Sequence, residues 1–136
     1  YGYTNIAKIT KPSITVSARG TIGFSVKRLE AFYPVVRLIV VTPKNLKELD
    51  LDFLNYSLKR INFKHSGSSI PQLTIPMIRN YKIILPLLEE QQAIVHKLDA
   101  LRIETQKLES IYQKKILLLE ELKKSILQKA FSGELN

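Results

Sequence analysis

Apolar and polar residues alternate in several short segments of the first part of the chain, and a period of two is typical of half-buried β-strands. Ser13 to Ser17 show this pattern. Ile22 to Val26 show it again after Arg19-Gly20-Thr21, where glycine permits the positive φ of a tight turn. The sequence therefore predicts a hairpin. The β-branched run Val35 to Val41 predicts a third strand, and Tyr81 to Leu85 predicts a last one.

One helix and one long loop are predicted between these strands. Leu49 to Ile61 place their apolar residues at near-helical spacing, with Asp50 and Asp52 early in the segment, as the helix dipole favours. The same dipole explains the two acids better than metal binding does. Lys64 to Pro76 contain Ser, Gly and two prolines and are predicted to be a loop.

A long helix is predicted from Glu89 to Ser132, because these 44 residues contain neither Pro nor Gly. A helix of that length extends about 66 Å. Apolar residues recur in it at alternating spacings of four and three, and eight of the ten positions are apolar or aromatic, which is typical of a coiled-coil seam. We call these ten positions the pairing stripe: Ile94, Leu98, Leu101, Thr105, Leu108, Tyr112, Lys115, Leu119, Leu122 and Ile126.

The pairing stripe is too long to be covered by the preceding 85 residues, since a domain of that size has a radius of gyration of about 12 Å. No second long helix is predicted in the chain. We therefore predict pairing with a second copy or with another protein, and the alternative is a solitary helix lying on its own domain. The apolar surface widens at Ile116 to Leu119, which indicates room for more than one partner. The predicted interface consists of Ile94, Leu98, Leu101, Leu108, Tyr112, Leu119, Leu122 and Ile126.

The charge of the chain is unevenly distributed. Residues 1–85 contain 13 Lys and Arg against 4 Asp and Glu, whereas residues 86–136 contain 8 of each, so the whole net charge of +9 lies in the first part. A basic segment joined to a neutral one indicates a polyanion-binding domain at 1–85 and a protein-pairing domain at 86–136. The alternative is a basic protein without a nucleic-acid role.

Other classes of protein are disfavoured by composition and motif. The absence of cysteine excludes disulfides and thiolate metal sites, and no apolar run approaches the roughly 18 residues of a membrane span. Gly20 and Gly23 are too few and wrongly spaced for a phosphate loop, and His96 is interpreted as a surface residue. We expect no cofactor, no metal and no membrane association, and a cytoplasmic location. Met77 is the only methionine, so further residues are expected before Tyr1.

Cations in the basic segment are interleaved with aromatic residues and with a Ser/Gly loop. Lys and Arg neutralise phosphates, Arg also reads guanine edges, and Ser hydroxyls donate to phosphate oxygens. For each residue singly, the alternative is a solvated surface group, and Arg19 is equally well interpreted as a structural residue of the turn. The predicted DNA-binding residues are Arg19, Lys27, Arg28, Lys64, His65, Ser68, Ser69 and Arg79.

Four strings of residues resemble, in order, a known family. Val16-Ser17-Ala18-Arg19-Gly20-Thr21-Ile22-Gly23 resembles the hairpin of the target recognition domains of type I restriction–modification enzymes. Ser68 to Thr74 resemble a loop near the end of that domain. The entry into the long helix of that family resembles Ile84 to Val95, a string that includes Leu85-Pro86-Leu87-Leu88-Glu89-Glu90-Gln91. The end of that helix resembles Leu119 to Leu135.

The resemblance implies a DNA specificity subunit. Such a subunit has two recognition domains, each reading half of a split double-stranded target in the major groove, and two long helices packed antiparallel. Methyltransferase and restriction subunits bind to it and perform the chemistry, so the chain itself is expected not to be an enzyme. About 15 residues precede the hairpin, where the family usually has a substantial β-rich stretch, so we predict a truncated or half subunit.

We therefore predict an α+β fold, in which a small, β-rich basic domain precedes one long helix that pairs as an antiparallel coiled coil. The alternative function is a helix-pairing module that associates with other specificity subunits and has little DNA affinity of its own. A small nuclease or methyltransferase would need an acid/Lys metal cluster or a cofactor loop, and neither pattern occurs in the sequence.

Overall fold

Three antiparallel strands organise the N-terminal part of the chain in this computed structural model, which describes residues 5–35, 37–63 and 71–133. The strands are β1 (Ser13–Ser17), β2 (Ser25–Arg28) and β3 (Leu38–Val41), in the order β2-β1-β3. Ile14 of the central strand is opposite Lys27 on one side and Val41 on the other. The predicted hairpin is therefore confirmed, with β1 as its first strand.

The turn between β1 and β2 is longer than the sequence indicated. We predicted that the second strand would begin at Ile22, but it begins at Ser25. Gly20 and Gly23 both adopt positive φ, at 73° and 84°, so the backbone is still turning where the alternating pattern has already resumed. Similarly, β3 begins at Leu38 and not at Val35, because Arg37 has a φ of 86° and interrupts the extended conformation.

The core lies between this sheet and the helix α1 (Leu51–Arg60). Ile14 and Val16 of β1 are fully buried there, together with Leu54 and Leu58 of α1. The Asp50 carboxylate caps α1 by accepting a hydrogen bond of 2.8 Å from the backbone N–H of Phe53. This capping contact accounts for Asp50, and Asp52 follows in the first turn, where the helix dipole favours an acid.

Two predictions between α1 and the long helix are wrong. Part of the expected loop forms the short helix α2 (Ile75–Arg79), because Pro76 lies in the first turn, where its missing N–H has no partner to lose. Tyr81 to Leu85 do not form a strand. Tyr81 and Ile83 pack against the core, but no described strand pairs with this segment, and the alternation reflects side-chain burial alone.

The long helix α3 extends from Leu88 to Phe131, one residue earlier at each end than predicted. The Glu90 carboxylate accepts a hydrogen bond of 3.0 Å from the backbone N–H of Leu87 and so satisfies a donor at the helix start. Gly133, at a φ of 76°, follows the last turn as a left-handed residue that ends helices. The predicted combination of a small sheet and a long helix is confirmed.

The chain divides into two compact units, residues 1–95 and 96–136, and α3 begins in the first and continues into the second. The first two turns of the helix thus belong to the first unit. The domain boundary that we predicted at residue 85 stays a prediction. Within the described ranges, no helix is both long and apolar enough to cross a membrane.

Candidate DNA interface and pairing helix

Arg19 is exposed in the β1–β2 turn, and its side chain is held by a residue far along the chain. Its Nε and Nη2 atoms donate hydrogen bonds of 3.0 and 2.6 Å to Oε1 of Gln72. Beside this contact, the backbone N–H of Leu73 donates to the carbonyl of Ala18 at 2.9 Å. The guanidinium therefore ties the turn to the segment before α2, and it keeps further N–H donors for an external acceptor, since arginine has five.

Lys27 and Arg28 are neighbours in β2 and therefore point to opposite faces of the sheet. On the face that α1 covers, Lys27 Nζ lies 2.5 Å from Oδ1 of Asp52, and the two side chains are 32% and 40% exposed. On the other face, Arg28 Nε donates to the hydroxyl of Thr15 at 3.4 Å. The charge of Lys27 is thus largely compensated, whereas the exposed Arg28 has a neutral partner.

The remaining predicted DNA contacts fall in two places. Arg79 is exposed at the end of α2, where it lines a cavity of about 460 Å³ among mainly apolar side chains. The other four, Lys64, His65, Ser68 and Ser69, lie outside the described residues. The described candidates therefore belong to the turn, to β2 and to α2, and Lys27 and Arg28 do not share a face.

Sequence reasoning missed two polar side chains that fix the position of these elements. Gln72 accepts both hydrogen bonds from Arg19, and Asn55 of α1 accepts one of 2.9 Å from the hydroxyl of Ser25. A single polar residue in a loop or on a helix carries no periodic signal, so pattern analysis could not have found either one.

Gln91 is a third residue that the sequence did not single out, and it is fully buried in the first turn of α3. Its Oε1 accepts a hydrogen bond of 2.9 Å from the backbone N–H of Asp50. Its Nε2 donates to the carbonyls of Glu48 and Pro86, both at 2.8 Å. One side-chain amide therefore connects the start of α3 with the residue that caps α1.

The pairing stripe is uncovered along α3. Leu98 is half-buried, and the other seven residues predicted for the interface are at least 40% exposed. The two polar positions of the stripe have local partners. The hydroxyl of Thr105 donates to the carbonyl of Leu101 at 2.8 Å, and Lys115 Nζ lies 5.7 Å from the centroid of the Tyr112 ring. The Thr105 hydroxyl is therefore satisfied within its own helix, whereas the Lys115 ammonium lies beside an aromatic ring of the stripe.

Four consecutive apolar residues, Ile116 to Leu119, surround the helix near the middle of the second unit, and each is more than half exposed. We call them the apolar ring. Since successive helical residues are about 100° apart, four of them cover the whole circumference. One pairing helix therefore cannot cover the ring, whereas it can cover the stripe.

Neither unit presents a constellation for metal chemistry within the described ranges: no group of three or more His, Cys, Asp or Glu side chains could hold a metal ion there. The features that the structure does present are exposed cations in the first unit and exposed apolar residues in the second.

The sequence of residues 1–120 matches the family model of the type I restriction modification DNA specificity domain. The chain belongs to this family. It is 42% identical over 99 residues to the C-terminus of the type I specificity subunit S.MpnORF289P of Mycoplasma pneumoniae, a match that covers 73% of the chain and 67% of that relative. It is also 42% identical over 99 residues to the specificity subunit S.MpnORF89P of the same organism, of which it covers 29%.

The fold has a counterpart among solved structures. The type I restriction–modification S subunit from M. genitalium superimposes with a TM-score of 0.61 and 25% sequence identity, over 80% of this chain and 30% of that one. The family that the four strings resembled is therefore confirmed, and so is the fold. The chain spans about two thirds of one relative and less than a third of S.MpnORF89P and the solved S subunit.

Proposed function

We propose that this chain acts as a truncated or half DNA-specificity subunit of a type I restriction–modification system. Its first unit contacts double-stranded DNA. Its long helix pairs antiparallel with a second copy or with another specificity subunit, and the assembly positions methyltransferase and restriction subunits on the DNA. Membership of the specificity family supports this function, and one property of the chain carries it: the separation of charge from apolar surface.

The charge separation supports DNA contact by the first unit. All of the net charge of +9 is contributed by residues 1–85, and the exposed side chains of Arg19, Arg28 and Arg79 lie in that region. Basic side chains that displace counterions from phosphates give binding that weakens steeply with salt. A helical segment without net charge contributes little to this salt-dependent binding. DNA contact is therefore assigned to the first unit and pairing to the helix.

The exposed stripe supports pairing by α3. Seven of its apolar or aromatic members are at least 40% exposed, at the heptad spacing that places them in one seam. Burying apolar surface stabilises association by about 25 cal/mol per Å², and half-exposed leucines on two helices supply that surface. A second specificity chain, which carries the same kind of helix, is the partner that fits this seam.

We expect the chain to have no catalytic activity, because methylation and cleavage belong to other subunits in systems of the kind that the sequence resembles. The isolated chain should leave DNA chemically unchanged with magnesium, with S-adenosylmethionine, or with both. We expect it in the cytoplasm, together with DNA and those subunits.

Pairing is tested by sedimentation of the chain and of the double variant Leu108→Asp with Leu119→Asp. The buried charges should dissociate the pair, because an unpaired carboxylate in an apolar seam is strongly disfavoured. The control is Leu117→Asp, which places one such charge on the opposite side of the helix from Leu108 and should leave the pair intact. A wild-type chain that sediments as a monomer at micromolar concentration, with no other partner covering the stripe, contradicts pairing.

DNA contact is tested by the salt dependence of binding to a labelled duplex. Each phosphate contact that is lost should reduce the slope of log affinity against log salt by about 0.9. Arg28→Ala and Arg79→Ala should each do so. Salt-insensitive or absent binding, together with an intact pair, would instead favour the alternative function of a helix-pairing module with little DNA affinity.

A further inference from the structure

The helix α3 is attached to the first unit through a polar residue. Gln91 is the one residue of its described length that is fully buried, whereas residues 100–133 are all exposed. Helices usually dock through an apolar stripe, and polar side chains are rarely buried without a specific role. Here Leu88, Val95 and Leu98 are only half-buried, whereas the Gln91 amide is fully buried, so hydrogen bonds are a large part of the attachment.

The three hydrogen bonds of Gln91 reach three separate backbone positions. Asp50 is the N-cap of α1, Glu48 lies two residues before it, and Pro86 directly precedes the first turn of α3. The planar amide offers an acceptor and two donors at fixed angles, whereas apolar burial is non-directional. Contacts of this kind define the rotation of the first helical turn as well as its distance from α1.

We propose that Gln91 is a positioning residue, which fixes the orientation of the first two turns of α3 relative to the Glu48–Asp50 segment and, through the unbroken helix, the spacer length that paired chains select on DNA. The helix contains no Pro or Gly from Leu88 to Phe131, so no kink-prone residue separates Gln91 from the pairing stripe. The consequence for DNA rests on the proposed function, and the consequence for orientation does not.

The chemistry of the site is specific for glutamine. Methionine has a similar length but would leave one N–H and two carbonyls without their partner, and each buried unsatisfied group is costly. Glutamate would keep the acceptor for the Asp50 N–H but would turn an oxygen toward the carbonyls of Glu48 and Pro86. Both variants therefore remove the directional contacts while they preserve much of the packing.

The orientation is measured by the distance between two spin labels, one on α1 and one on α3. The chain has no cysteine, so Arg60→Cys and Ala93→Cys provide unique labelling sites at exposed positions within the first unit. Labelled chain is diluted with unlabelled chain, so that distances within one chain dominate. We expect one narrow distribution of label-to-label distances in the labelled chain that retains Gln91. In Gln91→Met the same distribution should broaden. The matched control, Gln92→Met, changes the exposed neighbour and should leave the distribution narrow.

Backbone hydrogen exchange at residues 88–95 gives a second measurement, and we expect a rise in rate of at least about tenfold for Gln91→Met, since even one of its three lost hydrogen bonds allows a change of that size. If Gln91→Met does not fold, Gln91→Glu replaces it in both measurements. A merely structural role would lower the urea midpoint and leave the label distances narrow, and that outcome overturns the proposal. So does equal broadening in Gln91→Met and Gln92→Met.

The consequence for DNA is tested separately, by selecting from a pool of random-sequence duplexes those that bind to the paired chain. Wild type should select two half-sites with one preferred spacer length, and Gln91→Met should accept several spacers with unchanged half-site bases. A wild-type chain that selects nothing contradicts the proposed function, while the label distances still decide the role of Gln91. A spacer preference that survives broadened label distances would show that orientation at Gln91 does not govern the spacing.

Discussion

The two glycines of the β1–β2 turn provide a matched pair of stability measurements. Both have positive φ, at 73° for Gly20 and 84° for Gly23, so alanine at either position must adopt a left-handed conformation. That conformation costs about 1–2 kcal/mol, and the smaller entropy of the unfolded chain offsets roughly 0.4–1 kcal/mol of it. We therefore expect Gly20→Ala to lower the free energy of unfolding by about 1 kcal/mol.

Gly23→Ala adds a steric cost to the conformational one. A Cβ atom there would lie 2.8 Å from Cδ2 of Phe63, whereas a Cβ at Gly20 would meet nothing within 4 Å. The Phe63 ring is buried and packs edge-on against Tyr81, with centroids 5.1 Å apart, so it has little room to move. Overpacking of this kind costs roughly 1–3 kcal/mol.

The stability of both variants is measured by unfolding in urea, monitored by circular dichroism. The midpoint of Gly23→Ala should fall below that of Gly20→Ala by roughly 1 M, because m-values of small proteins are about 1–3 kcal/mol per M. Equal midpoints would refute the packing argument, because the two variants would then show only the backbone cost that they share. A Gly20→Ala variant as stable as wild type would refute the left-handed conformation at that turn.

Three further results are expected from the geometry. Lys27→Ala should change the salt slope of DNA binding less than Arg28→Ala does, because Asp52 already compensates Lys27; an equal change in both variants would mean that DNA displaces the ion pair. Seven residues inserted after Thr105 keep the heptad seam in phase and lengthen the helix by about 10 Å, so the preferred spacer should grow by roughly three base pairs; an unchanged spacer with a folded, paired helix would disprove this. Purified chain should neither nick nor methylate a plasmid over hours with magnesium and S-adenosylmethionine, and product formation that co-purifies with the chain would contradict this.

The parts of the fold that were predictable are those that local sequence determines. The hairpin follows from alternation, α1 from apolar residues at near-helical spacing with acids placed early, and α3 from an uninterrupted helical run. Tyr81 to Leu85 were wrongly predicted because alternation reports which side chains are buried, and burial against a core does not require a paired strand. The helix α2 was missed because proline was interpreted as a loop residue, although it is also favoured in a first helical turn.

The candidate site was predictable in residue type but not in arrangement. Charge counting identified the basic part of the chain, yet it could not reveal that Lys27 is paired with Asp52, 25 residues away. The contact between Arg19 and Gln72 is similarly tertiary, and it is the kind of contact that the structural interpretation of Arg19 requires. DNA contact stays a prediction for Arg19 and for the other seven candidates.

The apolar ring at Ile116 to Leu119 has a consequence for how much of this protein a cell can maintain. Water surrounds all sides of the helix there until partners arrive, and exposed apolar patches of this kind promote aggregation and proteolysis. Chain produced in excess of its partners would therefore be removed or precipitate, whereas assembled chain would persist. The abundance of the protein would therefore follow the supply of its partners.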